Sequence, residues 1–181
     1  MHIIAGKFKG QKLKTIKAHI RPTMDSIKEA IFSMIRHRLD DAVVLDLFAG
    51  TGSLGIEALS EDAKICHFVD KSFKAIKCIE ANLNKLNINK NVKVFHSSAI
   101  SFINRCESNY YDMVFIDPPY RARVISKIVN VIFEQDILKS DGLIIAECSK
   151  DEDLSKIKDK IIKSKVYGDT MISLISRGIN E

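Results

Sequence analysis

The sequence predicts one α/β domain built on a mainly parallel sheet, with a small basic extension at its amino end. Three observations carry this. Short, near-continuous apolar runs alternate with amphipathic stretches of helical period, the pattern of strands buried on both faces by crossover helices. A glycine-rich turn stands at the first strand-to-helix junction of that series. The chain has 181 residues, enough for one well-filled core and too few for two full domains.

Residues 2–5 and 11–16 read as two short strands about Lys7-Phe8-Lys9-Gly10, where glycine supplies the turn. Residues 1–22 form this hairpin extension and 23–181 the body. Arg21-Pro22-Thr23 breaks the chain and opens a helix: Thr23 is the N-cap, Asp25 stands in the first turn, and Ile27, Ala30, Ile31, Met34 and Ile35 repeat at helical spacing to about Arg38. Strand and helix then alternate. Val43–Leu47 is a strand followed by the glycine turn and a helix to about Leu59. Lys64–Val69 is the second strand, and Lys71–Asn84 an amphipathic helix with Phe73, Ile76, Ile79 and Leu83 in a stripe. Val92–His96, the short helix Ala99–Asn104, the strand Tyr111–Ile116 and the helix Val124–Phe133 follow. Leu143–Glu147 is the fifth strand and Leu154–Ile162 a helix. The chain ends in strands around Lys165–Tyr167 and Met171–Ser176, joined by Tyr167-Gly168-Asp169-Thr170 as a hairpin, so that one of them runs antiparallel.

Charge is unevenly placed. Residues 1–42 hold nine Lys or Arg and four Asp or Glu, which accounts for the whole net charge of +5. A neutral body with a basic arm points to contact between the arm and a polyanion, with Lys7, Lys9, Lys12 and Arg21 on phosphates. Arg21 serves equally as an internal partner of Asp25 or Glu29. Cys66, Cys78, Cys106 and Cys148 lack the spacing of a zinc site or a redox pair; Cys66 and Cys148 fall in strands as core thiols, as in a reducing cytosol, so a cytoplasmic protein without a metal is expected. No run of 18 apolar residues suggests a membrane span, and the amino terminus is unlike a signal peptide.

In Asp46-Leu47-Phe48-Ala49-Gly50-Thr51-Gly52-Ser53-Leu54-Gly55, Gly50 and Gly52 allow close approach of a ligand to the backbone, and Gly55 allows the helix to lie near the sheet. No lysine followed by serine or threonine makes this an ATPase phosphate loop. Asp46 would repel a pyrophosphate and welcome an ammonium, while Asp70, ending the second strand, is placed for ribose hydroxyls. The combination favours S-adenosylmethionine, with S-adenosylhomocysteine as its product, over a dinucleotide. Ser98 or the backbone of Ala99 would meet the adenine amine; Ser98 is equally explained as a plain N-cap.

Asp117-Pro118-Pro119-Tyr120 ends the fourth strand in a corner whose two prolines cannot donate to a ladder and leave its carbonyls unpaired. An acid, outward carbonyls and an aromatic ring suit a planar base with an exocyclic amine. Asp117 and the Pro118 carbonyl would accept from the amine, and Tyr120 would stack on the base, worth roughly 1–3 kcal/mol. Arg121 and Arg123 follow, within reach of neighbouring phosphates. The base must be unpaired or flipped out.

These residues resemble one family over nearly the full length: the bacterial 16S ribosomal RNA guanine-N2 methyltransferases of the RsmD type. The likeness rests on His2-Ile3-Ile4-Ala5-Gly6-Lys7 with Gly10 and Leu13, on Arg21-Pro22-Thr23 with Asp25, Glu29, Ala30 and Phe32, on Asp46 through Ser60, and on Asp117–Tyr120. It implies a seven-stranded class I S-adenosylmethionine-dependent methyltransferase fold, Rossmann-like, with an N-terminal β-hairpin extension. It further implies cofactor contacts at Asp46, Phe48, Ala49, Gly50, Thr51, Gly52, Asp70, Lys71, Ser98, Ala99 and Asp117, with catalysis at Asp117, Pro118, Pro119 and Tyr120. The implied substrate is the RNA of an assembled or assembling small ribosomal subunit, met by a monomer. Asp70 stands where glutamate is usual and keeps the carboxylate for the ribose; Ser98 stands where Asp or Asn is frequent, which leaves the adenine contact to the backbone of Ala99; and Ser26 and Lys28 stand where arginines are common, so a somewhat different grip on RNA is expected. The rival readings are an adenine-N6 or cytosine-N4 methyltransferase, which on DNA would need a recognition insertion, and an RNA-binding assembly factor without turnover.

Overall fold

The computed structural model describes residues 1–16, 24–119 and 122–178. Thr23 as N-cap, Arg21, Tyr120 and Arg121 lie outside them. The body is a seven-stranded sheet: β1 Val43–Leu47, β2 Ile65–Asp70, β3 Val92–His96, β4 Tyr111–Ile116, β5 Leu138–Ser149, β6 Ile161–Tyr167 and β7 Thr170–Ile175. Their order is β3-β2-β1-β4-β5-β7-β6. The first five strands run parallel, and β7 runs antiparallel to both neighbours. The terminal hairpin thus supplies the antiparallel strand that the sequence leads one to expect.

Two layers of helix cover the sheet. α1 Met24–Ile35, α2 Ser53–Ser60 and α3 Phe73–Lys85 pack on one face, where Ile31, Phe32, Ile35, Ile56 and Ile79 meet Val44, Phe68 and Phe115. α4 Ala99–Ile103 and α5 Ile125–Glu134 pack on the other, where Ile103, Ile128, Val129 and Ile132 meet Leu45, Leu47, Val114 and Ile116. Buried on both faces, the central strands need the apolar runs read from the sequence. Cys66 and Cys148 are buried free thiols. No helix among the described residues is long and apolar enough to cross a membrane.

Three elements differ from expectation. β5 begins at Leu138 rather than Leu143, because Leu138 already pairs with Tyr111 of β4. The helix expected at Leu154–Ile162 is only a 3-10 stretch, Ser155–Lys160, with Ile157 in non-helical geometry (φ −130°). Ile161 and Ile162 instead start β6, where a β-branched run finds β7 as a partner. The two arm segments form a short hairpin rather than two full strands: His2 bridges Lys12, Ile3 N–H donates to Gln11 O (3.0 Å), Leu13 N–H to Met1 O (3.2 Å) and Gly10 N–H to Ile3 O (2.8 Å), around a 3-10 turn at Gly6–Phe8. The reason is competition for backbone groups. Ile4 and Ala5 N–H donate to the Glu57 carboxylate (2.8 and 2.9 Å), Phe8 N–H donates to Ser60 Oγ (3.0 Å), and Lys14 N–H donates to Asn82 Oδ1 (2.7 Å). The arm's remaining backbone donors go to α2 and α3 instead of extending the ladder.

The topology places the site. The chain begins the sheet at β1, works outward to β3, then returns to lay β4 on the other side of β1. In open sheets the crevice beyond the carboxyl ends at such a reversal is where ligands bind.

Candidate active site

At that reversal lies a cavity of about 190 Å³ lined by the glycine turn, Met1, Lys28 and three carboxylates, Asp46, Asp117 and Glu147. Strand pleat explains the convergence. Asp46 follows Val44 by two, Asp117 follows Phe115, and Glu147 follows Ile145, so all three project on the face that carries α1 and α2. Ile116 registers with Ala146, which sets Asp117 beside Glu147 on neighbouring strands.

The turn is held in a form few sequences tolerate. Phe48, Gly50 and Gly52 have φ of 61°, 56° and 79°. For phenylalanine that is a strained backbone, fixed here by its surroundings. Ala49 N–H donates to Val69 O (3.0 Å), and Gly50 N–H to Asp70 Oδ2 (2.9 Å). At Gly55 a Cβ would stand 2.3 Å from the Phe68 ring and 2.6 Å from Cys66 Sγ, so α2 lies against β2 only because that residue has none. The close packing expected of Gly55 is present.

Asp46 is buried, and its Oδ2 accepts from Gly55 N–H (2.9 Å). Burial, opposed by that bond and helped by the nearby Asp70 charge, pushes its carboxyl up to about 7. Burial and then repulsion from Glu147 and Asp46 push the Asp117 carboxyl well above the usual carboxylate range. Asp70 accepts from Gly50 and Ser72 N–H (2.9 and 2.8 Å), which leaves acceptor capacity on both oxygens for hydroxyls.

The structure brings Asp46, Phe48, Ala49, Gly50, Thr51 and Asp117 into one cavity, with Asp70 tied to its turn. Gly52 is the left-handed N-cap of α2. Lys71 is exposed, its carbonyl accepting from His96 Nε2 (3.0 Å). Ser98 caps α4, accepting from Ser101 N–H (3.3 Å), and Ala99 is buried behind it. Pro118 is buried and Pro119 exposed, but the Pro119 carbonyl accepts from Ala122 N–H (2.9 Å), so the corner's carbonyls are not all unpaired. Arg123 is not in this cavity; it lines a separate cleft with Lys127, Lys156 and several acids along α5. Lys7, Lys9 and Lys12 are exposed on the arm.

Beyond Ser53 and Leu54, which follow the glycine turn, three further lining residues were not expected there. Glu147 carried a signal, an acid at the carboxyl end of a predicted strand. Met1 and Lys28 carried none. Lys28, standing where arginine is common in the family, is buried: its Nζ pairs with Glu57 (2.7 Å) and donates to His2 O (2.6 Å) and Ser53 Oγ (3.3 Å). Among the described residues no cluster is arranged to hold a metal ion.

Comparison with known proteins meets this geometry. Residues 1–176 match the family described as conserved hypothetical protein 95. Ribosomal RNA small subunit methyltransferase D of Haemophilus influenzae is 31% identical over 172 residues, covering 93% of this chain and 89% of its own. The Escherichia coli protein of the same name is 29% identical over 180 residues, covering 98% and 90%. The solved structure "Putative methyltransferase yhhF from Escherichia coli" superposes with a TM-score of 0.85 at 30% identity, covering 96% of each chain. The seven-stranded sheet, the glycine turn and the carboxylate cavity are thus those of a class I methyltransferase fold, and the chain belongs to the RsmD family.

Proposed function

We propose that this protein transfers a methyl group from S-adenosylmethionine to the exocyclic N2 of a guanine in 16S ribosomal RNA, acting as a monomer on an assembled or assembling small subunit. The observation that carries the reading is the cavity itself, in which three carboxylates from three adjacent strands open beside a glycine turn. Such a site suits a ligand with two positive centres and repels a pyrophosphate. The names of the relatives support the RNA substrate.

S-adenosylmethionine supplies a sulfonium methyl whose carbon–sulfur bond breaks as the guanine nitrogen bonds to that carbon, the electron pair staying on sulfur as S-adenosylhomocysteine. Asp46 holds the ammonium, the turn from Phe48 to Gly52 seats the chain behind it, Asp70 and Lys71 flank the ribose, and Ser98 and Ala99 border the adenine. Repulsion among Asp46, Asp117 and Glu147 falls when cationic groups enter, which draws Asp117 back to its ionised, accepting form. Asp117 and the Pro118 carbonyl then accept from the N2 amine and orient its lone pair, and Asp117 receives the proton that the nitrogen sheds on methylation. Tyr120 stacks on the base, and Lys7, Lys9, Lys12, Arg21, Arg121 and Arg123 bear on phosphates. The site lies in the cytoplasm, where its substrate is made.

Labelled methyl incorporation into naked ribosomal RNA, isolated small subunits and DNA tests this, with the modified nucleoside identified by mass spectrometry. N2-methylguanosine in small subunits is the expected product; label on adenine, on cytosine or only in DNA would overturn the reading. Asp117→Ala is expected to slow transfer about a hundredfold or more while cofactor affinity stays within about threefold.

A further inference from the structure

We infer that Glu147 reads the guanine N1–H and so determines which base is accepted, a role that rests on the guanine-N2 reading above. Asp117 and Glu147 end neighbouring parallel strands in matched register, project on the same sheet face and line the same cavity. Neighbouring strands lie about 4.8 Å apart, so two carboxylates placed this way span the edge of one base.

The chemistry of that edge does the sorting. Guanine presents two adjacent donor groups, N1–H and the N2 amine. Adenine and cytosine present an amine beside a ring nitrogen that only accepts. A single acid at an amine, such as Asp117, accepts any of the three. A second acid at the ring nitrogen pairs with guanine and sets a carboxylate against a lone pair in the other two, so it both favours the right base and repels the wrong ones. Asp46, the third acid, lies on β1 level with Phe115, two residues short of Asp117, and its carboxylate accepts from Gly55 N–H (2.9 Å) of α2. This divides the labour: Asp46 faces the cofactor, Asp117 faces the reacting amine and Glu147 faces N1.

The test uses 2-aminopurine, which keeps the exocyclic 2-amine and lacks the N1 hydrogen. With the target nucleotide mapped as above, small subunits are reconstituted with guanine or 2-aminopurine at that position. The parent enzyme is expected to prefer guanine in kcat/KM by about tenfold to a hundredfold, the worth of one hydrogen bond to a charged group. Glu147→Gln turns an acceptor into a group that also donates, so it is expected to lower guanine methylation by about tenfold or more, leave 2-aminopurine methylation equal or higher, and leave S-adenosylhomocysteine affinity within about twofold. Three results would overturn the inference: equal use of both bases by the parent enzyme, equal loss on both bases in Glu147→Gln, or a loss of S-adenosylhomocysteine affinity that accounts for the lost activity. The first needs no variant, so it stands whether or not Glu147→Gln folds. Failure of the guanine-N2 reading itself looks different, because the mapped methyl then lies on another atom or base.

Discussion

Asp46 sits almost wholly buried at 1% exposure, with its carboxyl pushed up to about 7 from an ordinary 3.8. A carboxyl raised on folding makes the folded state bind more protons than the unfolded chain. Stability therefore falls as pH rises from about 4 to about 7, and the full cost, on the order of a few kcal/mol, is present above that. Asp117 is raised in the same direction. The ligand-free protein is expected to melt lower at about pH 8 than at about pH 6. S-adenosylmethionine should bind more tightly with rising pH across that range, releasing protons as it does. Asp46→Asn keeps an oxygen for Gly55 N–H, so it should raise the ligand-free Tm at about pH 8 by roughly 5–10 °C while lowering cofactor affinity at least about tenfold. Differential scanning fluorimetry and calorimetry at two pH values check both. Under the proposed function, a destabilising acid kept where the cofactor's ammonium would sit is strain held for function. The residue types of the glycine turn and of Asp46 were legible in the sequence because each answers a local demand, left-handed backbone or opposite charge. The upward shift of Asp46 was not, since it follows from burial.

At the scale of elements, the arm is joined to α2 through one buried carboxylate. Glu57, itself fully buried, accepts from Ile4 and Ala5 N–H and pairs with Lys28 of α1, while Ser60 Oγ donates to Ala5 O (2.6 Å). Asn82 of α3 adds a second tie, donating to both Lys14 O (3.1 Å) and Thr51 O of the glycine turn (2.9 Å). Because Met1 and Lys28 line the cavity, arm, α1 and site form one unit. Glu57→Ala would strand Lys28 as a buried charge and is expected to cost about 3–5 kcal/mol, a fall in Tm of about 10 °C. Limited proteolysis should show earlier cleavage in residues 1–16 at temperatures where the body stays folded. A melting point equal to the parent's would mean the arm is held elsewhere. None of this clamp was visible in the chain, because a glutamate inside an apolar helix carries no mark of which distant backbone it will satisfy.

Across the whole molecule, the basic arm runs the length of α2. Met1 Sδ lies near Thr51 Oγ1 (3.7 Å) at the carboxyl end of the sheet, and Phe8 lies at Ser60 one helix length away, about 12 Å for eight residues. Lys7, Lys9 and Lys12 are exposed along this track, and among the described residues none makes an ion pair. Phosphates lying on it would belong to nucleotides well away from the methylated one. Replacing the three lysines with glutamine is expected to weaken RNA capture and to reduce the slope of log affinity against log salt by about 2, while methyl transfer at saturating RNA stays close to the parent's. An unchanged slope, measured by filter binding at several salt concentrations, would mean the arm is only solvated.

The alternation of strand and helix, the glycine turn, the proline corner and the charge imbalance could be read along the chain, because each is written in the period, backbone freedom or charge of neighbouring residues. The tertiary structure decided what depends on residues far apart in the chain. It cut the expected helix at Leu154–Ile162 down to a 3-10 stretch and drew Ile161 and Ile162 into β6, since β7 offered them a partner. It buried Lys28 on Glu57, a pairing no local pattern announces. It also set Glu147 beside Asp117, because the register of two adjacent strands is fixed by packing between them and leaves no trace in either strand alone.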